Sequence, residues 1–451
     1  MDDRLATTTL ANRVSGPVYA PGDSGYAPEI AAFNTAIVHT PDLVVGAGSA
    51  ADVVDAVRYA REHGHRVAVQ ATGHVGSPIT SGVLISTRRL DRVDIDAGRR
   101  TATIGAGVRW EAVIAAAAEH GLAPIAGSSA VVGVVGYLLG GGLGPLARSH
   151  GFSSDYLLAL TVVTADGDVI EASPQRNTEL FWALRGGKGG LGVVTELRLR
   201  LVELSTLYAG SLFFDEANIE AALRAWVDWT AAADARVTTS AAIIRFPALD
   251  VVPDPFRGRL LLSLRFAYPG TVEEGARLAE PLRSAAPVYV DALDELPAAE
   301  VARIHNDPSE PNPAWVSGML LSHIDQEFAS VLLDHVGADA DAPFVSAEIR
   351  HLGEATERDV EGGSAVGGRD AEFTLGFVGA DPQLFRSVLP AALDRLIGDL
   401  RAWISPETNI NFVGKLRSAE HLASAWPPPI LAKLGELRRQ YDPDGVFAYG
   451  F

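Results

Sequence analysis

The chain contains no cysteine in 451 residues. That absence removes disulfides, thiolate-bound metals, iron–sulfur clusters and cysteine nucleophiles together. A basic balance is missing too: 37 Lys and Arg stand against 56 Asp and Glu, a formal net charge of −19. A surface this acidic repels phosphate backbones, so no nucleic-acid partner is expected. The plain explanation of the charge is solvation. No run approaches the ~18–20 apolar residues of a membrane span. The apolar stretch from Val131 to Leu143 is cut by glycines. The first residues, MDDRLATTTLANRV, put acids at positions 2 and 3 and offer no apolar leader core. A cytoplasmic protein with no membrane partner is the expectation. Internal repeats and low-complexity segments are also absent.

What the chain does have is glycine, gathered in loops. The first loop is Val69-Gln70-Ala71-Thr72-Gly73-His74-Val75-Gly76-Ser77-Pro78. The second runs Gly127-Ser128-Ser129-Ala130-Val131-Val132-Gly133-Val134-Val135-Gly136, and on to Gly140-Gly141-Gly142-Leu143-Gly144. A third spans Arg185 to Gly192. Backbone N–H groups exposed in such loops can hold a pyrophosphate without a lysine. A Rossmann fingerprint would need a strand before, a helix after and an acid ~20 residues on. The run at 140–144 instead follows another glycine loop. His74 leaves a strand between Gly73 and Val75, where backbone and ligand can approach closely. It reads either as an ordinary surface or core histidine, or as a ligand-contacting base or nucleophile. No metal partners lie at ligand spacing, so no metal is expected.

The pattern before Leu204 predicts strand, helix, strand over 38–68, with Ser49 ahead of a helix from Ala50 to Glu62. Hairpins follow around Gly98 and at Asp166-Gly167, a dipeptide that type I′ turns favour. Helices are expected at Val108 to His120 and Glu179 to Arg185. Beyond 204, long strands (Thr238 to Phe246, Arg259 to Tyr268, Ala347 to His351, Glu372 to Val378) alternate with amphipathic helices (Ala217 to Ala233, Val272 to Ser284, Gln383 to Trp403). This predicts an α+β chain with a first domain at 1–204 (core about 38–204), a second at 205–408 with an antiparallel sheet covered by helices, and a return of 409–451 to the first.

The order of these motifs resembles the vanillyl-alcohol-oxidase/p-cresol-methylhydroxylase flavoprotein superfamily, and within it the berberine-bridge-enzyme-like FAD-linked oxidases. Further matches are Phe181-Trp182-Ala183-Leu184-Arg185-Gly186-Gly187, Gly192-Val193-Val194-Thr195, Glu348-Ile349-Arg350, Asn411-Phe412 and Tyr441-Asp442-Pro443. The resemblance covers nearly the whole chain. It implies a two-lobed FAD-binding domain of the p-cresol-methylhydroxylase type plus a substrate domain. It implies FAD held by Ala71, Thr72, Gly73, His74, Val75 and Ser77, then Gly127, Ser128, Ser129, Val132, Gly133, Gly136 and Tyr137. Gly141, Gly142, Leu143, Gly192, Val194 and Asn411 complete the implied set. His74 would bond the C8 methyl of the flavin, which should raise its reduction potential.

Departures from the pattern matter as much. Ser129 stands where many members carry a cysteine bonded to flavin C6, so only the single link through His74 is possible. Gly190-Leu191 replaces the usual Asn-Phe. Val132 occupies the position that admits or excludes O2, and its small size resembles the oxidases; simple packing is the alternative. Asn409 stands where many relatives place a tyrosine base. Glu348 is then the candidate base, sharing a strand face with Arg350 while His351 points the other way. A salt bridge to Arg350 is its alternative reading. Tyr137 and Tyr449 are lesser candidates. The expected reaction takes a hydride from an alcohol, amine or activated C–H of a small molecule and reduces O2 to hydrogen peroxide. A dehydrogenase with another acceptor, or a flavin-bearing binding protein without turnover, stays open.

Overall fold

The computed structural model describes residues 9–414 and 419–447. Its first lobe is a four-stranded sheet in the order Val18–Tyr19, Leu43–Gly46, Val83–Ser86, Val67–Gln70. The last three strands are parallel, and the helix Ala50–Glu62 makes the crossover between Leu43–Gly46 and Val67–Gln70. Ser49 caps that helix by accepting from the Asp52 N–H. Val53, Ala56, Val57 and Ala60 recur at helical spacing and are fully buried. They pack with Val163 and Val193 of a second sheet in one apolar cluster.

The second sheet has five antiparallel strands, ordered Val93–Asp96, Thr101–Gly105, Val193–Arg200, Leu157–Val163, Val169–Ala172. Its last hairpin departs from expectation. Only Gly167, not Asp166, has positive φ, at 78°. The Gly167 N–H donates to Thr164 O. That is a type I turn closed by a left-handed glycine, the three-residue alternative to type I′.

The third sheet has eight strands and is antiparallel throughout. The expected strands are Thr238–Arg245, Leu260–Tyr268, Ser346–His351 and Phe373–Gly379. Two further long strands, Thr206–Asp215 and Trp315–Leu321, and the helix Gln326–Val336 were not expected. Each unexpected strand carries an interior glycine, which lowers strand propensity. Gly210 is required by close approach, since a Cβ there would lie 2.0 Å from Ala292 O. The helix expected over Gln383 to Trp403 is shorter, Val388–Asp399.

Strand alternation gives this sheet two different faces. Leu212, Leu264, Ala241, Ile349 and Leu375 pack under the helices. In the register Ser211↔Arg265↔Ser240↔Arg350 the other face is polar. In the register Ala242↔Glu348↔Gly376↔Gly318 it is small around one carboxylate. The helix Pro428–Tyr441 crosses back to the first half of the chain. Arg438 donates to Gly187 O at 2.9 Å, and the Val67 N–H donates to Val446 O. Among the described residues, no helix is long and apolar enough to cross a membrane.

Candidate functional site

The first two glycine loops meet. A Cβ at Gly133 would lie 3.4 Å from both Ala71 Cβ and Thr72 Oγ1. Among the described residues, the N–H groups of 73–77 and 128–131 donate no hydrogen bond. Loops of unpaired amides are the donor set a pyrophosphate requires. Other groups hold the loops open. Asn34 N–H donates to Gly73 O, Glu111 N–H to Ala130 O, and Trp110 N–H to Val132 O. Gly73 itself has φ of 71° and no room for a side chain against Ala32.

His74 is held on both sides. Its ring stacks on Phe33 at 3.9 Å, and Nδ1 meets Thr72 Oγ1 at 2.9 Å. Nε2 is buried without a hydrogen-bond partner among the described residues. Burial, then the charge of Arg109, pushes the imidazole down to about 4 despite Asp307. The ring is therefore neutral at pH 7, with one nitrogen fixed and the other free. Val75 and Ser77 are exposed beside it.

The second loop passes into the helix Val134–Leu138. Tyr137 packs its ring between Gly127 and Gly142, where added Cβ atoms would lie 2.9 and 2.3 Å from it, and edge-on to Trp110. Burial pushes its hydroxyl up to about 12. A proton-accepting role for Tyr137 is therefore not supported; it shapes the loop. Ser128 Oγ donates to Asp307 at 2.9 Å, and Ser129 is half-buried beside it. Val132 is half-buried against the main core. Leu143 and Val194 put their side chains into apolar clusters, so only their backbones could face a cofactor. Gly141 has φ of 92°, and Gly192 packs on Val162.

Asn411 ties loops together. Its amide donates to Tyr137 O at 2.8 Å, and its Oδ1 accepts from Lys188 Nζ at 2.7 Å. Lys188 also donates to Gly136 O. Asn409 is buried, and its Oδ1 accepts from the Asn411 N–H at 3.0 Å. Asn409 thus forms the turn that presents Asn411, which explains an amide rather than a phenol there. Tyr449 lies outside the described residues.

Glu348 and Arg350 do share one face, and His351 points the other way, stacked on Phe373. Glu348 is not free, however. Its Oε2 accepts from Arg350 at 2.8 Å; its Oε1 accepts from Arg265 at 2.6 Å and Ser240 at 2.9 Å. Burial alone would raise its pKa. Arg350, Arg265 and the adjacent His305 outweigh that and hold the carboxyl well below its usual range. These contacts favour the salt-bridge reading of Glu348 over the base reading, because so stabilised a carboxylate gains little from a proton. Arg350 lies 5.2 Å over the Phe412 ring. Sequence reasoning missed Arg265, His305, Asp307 and Lys188. Lys188 alone had a signal, a lysine inside a glycine loop.

Comparisons with known proteins bear on this geometry. A family model described as an FAD binding domain matches residues 41–173, which hold both pyrophosphate-type loops and His74. The chain is 29% identical to (R)-6-hydroxynicotine oxidase of Paenarthrobacter nicotinovorans, over 100% of this chain and 98% of the relative. It is 26% identical to an uncharacterised FAD-linked oxidoreductase of Bacillus subtilis, over 97% and 96%. The solved 6-hydroxy-D-nicotine oxidase of Arthrobacter nicotinovorans superposes with a TM-score of 0.83 at 23% identity, over 98% of each chain. The carbohydrate oxidase of Microdochium nivale superposes with a TM-score of 0.84 at 19% identity, over 99% of this chain and 98% of that one. Motif order, free loop amides and these full-length likenesses converge: the chain is an FAD-linked oxidoreductase with the p-cresol-methylhydroxylase-type fold of the berberine-bridge-enzyme-like oxidases.

Proposed function

We propose that this chain is an oxidase of a hydroxyl-bearing small molecule, with FAD tethered once, through His74. The observation that carries the reading is the state of that side chain. It is buried and neutral, with Nδ1 occupied by Thr72 and Nε2 unpartnered. With Nδ1–H donating to Thr72 Oγ1, the Nε2 lone pair would be unprotonated and unclaimed, a ready nucleophile. The pyrophosphate belongs on the free amides of 73–77 and 128–131. The first domain ends near 204, the substrate domain near 408, and the remainder returns to the first. Bound there, FAD supplies the two-electron acceptor, with O2 as final oxidant and hydrogen peroxide as product.

The chain's own residues do the rest. The polar sheet face carries Ser240, Arg265 and Arg350, joined by Glu348, beside Leu143 and Gly144 of the second glycine loop. Arg265 and Arg350 are balanced there by Glu348 and Asp307, a face that suits a neutral hydroxylated donor better than a charged one. Glu348 fixes Arg350 so that its guanidinium can hold the substrate oxygen. Val132 is small enough to leave O2 a way in.

The test is direct. Purified protein is precipitated with acid and its pellet examined for flavin absorbance. Yellow pellets from wild type and colourless pellets from His74→Ala are expected, with a flavin-modified peptide containing residue 74 by mass spectrometry. Colour that washes out of wild type sinks the tether. Reduced protein that air does not reoxidise within minutes, while a quinone does, sinks the oxidase assignment in favour of a dehydrogenase.

A further inference from the structure

With Glu348 committed to arginines and Asn409 to a turn, the polar face needs another proton acceptor. One histidine stands on it. His305 follows the 3-10 helix Ala298–Ile304, whose end is tied to the sheet by Ser211 Oγ donating to Ile304 O at 3.2 Å. The next residue, Asn306, has left-handed backbone with φ of 52°, a conformation non-glycine residues adopt at a cost. Asp307 then reaches the second loop through Ser128. The segment thus bridges the sheet to the cofactor loops, with His305 on its inner side.

The His305 side chain is only 6% exposed, and Nε2 lies 3.3 Å from Glu348 Oε1. That contact engages Nε2 and leaves Nδ1 buried with no partner among the described residues. A buried imidazole nitrogen left unpaired is rare unless something binds it. The ring lines a small, partly open cavity with Leu143, Gly144, Ser240, Arg265 and Arg350. Arg265 and Glu348 face it from the two strands that flank Thr238–Arg245, Arg350 from the same strand as Glu348, and Asp307 from its own segment.

We infer that His305 is the base of this oxidation, taking the hydroxyl proton of the substrate while Glu348 steadies the imidazolium. The inference rests on the oxidase reading above. Turning CH–OH into C=O removes two hydrogens and two electrons. The O–H proton goes to Nδ1 of His305; the C–H hydrogen would leave with both electrons as hydride, the two-electron acceptor being the FAD these loops would hold. Arg350 and Arg265 favour the negative charge that grows on the oxygen as its proton departs. Burial, Arg265 and Arg350 keep the ring below its ordinary imidazole pKa, so it is unprotonated and available at pH 7.

The experiment uses flavin-loaded wild type, His305→Asn and His305→Gln. Anaerobic flavin reduction is followed at saturating xylobiose or glucose, whichever reduces wild type. Wild-type reduction should fall tenfold per pH unit below the His305 pKa. Both variants should be at least about 10²-fold slower at pH 7 and lose that acid limb. Their bound flavin absorbance should match wild type. A readout independent of turnover comes from [15N]histidine spectra of the holoprotein. The resonance missing in His305→Asn should be a neutral imidazole at pH 7 and titrate at the pH of the kinetic limb. Variants as fast as wild type, an unchanged acid limb, or a His305 resonance protonated at pH 7 would each overturn the assignment while leaving the oxidase reading intact. Failure of every donor to reduce wild type would overturn both.

Discussion

Glu348→Gln separates a carboxylate that organises the polar face from one that merely sits there. The Glu348 side chain is 15% exposed, and those of Arg265 and Arg350 are 9% and 18% exposed. Removing one partner of a buried pair leaves the other charge uncompensated, at about 3–5 kcal/mol. Glutamine keeps the shape and one acceptor, so the low end, about 3 kcal/mol, is expected at pH 7. Two guanidiniums are stranded at once, which argues against a smaller figure. Adding Arg265→Met should recover part of the loss, because one stranded charge goes with it.

The pH dependence has a definite sign. The folded carboxyl titrates well below its usual range, whereas the unfolded one titrates near ~4.3. The unfolded state therefore binds the proton first, and the stabilisation is fully present above that value. It is lost progressively as pH falls toward the folded pKa. Urea unfolding followed by circular dichroism at 222 nm, at steps from pH 7 to pH 3, measures both effects. The wild-type advantage over Glu348→Gln should hold constant to about pH 5 and then shrink. A deficit under about 1 kcal/mol at pH 7, or one undiminished at pH 3, would refute the network as described.

Two further outcomes follow from single positions. Gly376 faces the same side as Glu348, and a Cβ there meets nothing within 4 Å; Gly376→Ala should stabilise the strand by about 0.5–1 kcal/mol while raising KM for bulky donors, read from urea curves and initial rates. Burial pushes the Lys188 amine down to about 8, so between pH 8 and ~10.4 the unfolded state holds a proton the folded state has lost. Wild type should gain stability over Lys188→Met as pH rises through that window, and a flat difference would place the amine in water.

The cofactor half of this protein is legible in its sequence because its function is written in backbone. Gly73, Gly141 and Gly142 are where they are because a side chain would strike a neighbour or demand a strained φ, and such needs survive as glycine spacing that a reader can see. His74 stands out for the same reason, as the reactive side chain inside the first loop's spacing. The strands Thr206–Asp215 and Trp315–Leu321 were hidden by the same logic in reverse: Gly210 and Gly318 serve close packing and dilute the strand signal.

The substrate half is written in side chains brought together by register. Arg265, His305 and Glu348 lie 40 and 43 residues apart in sequence, on two strands and the end of a 3-10 turn. No periodicity links them. Glu348 looked like a base because its strand face was visible and its second arginine was not. Arg265 at 2.6 Å converts it from a proton acceptor into a counter-ion. The role proposed for it passes to the imidazole that touches that counter-ion through Nε2 and keeps Nδ1 unclaimed, His305.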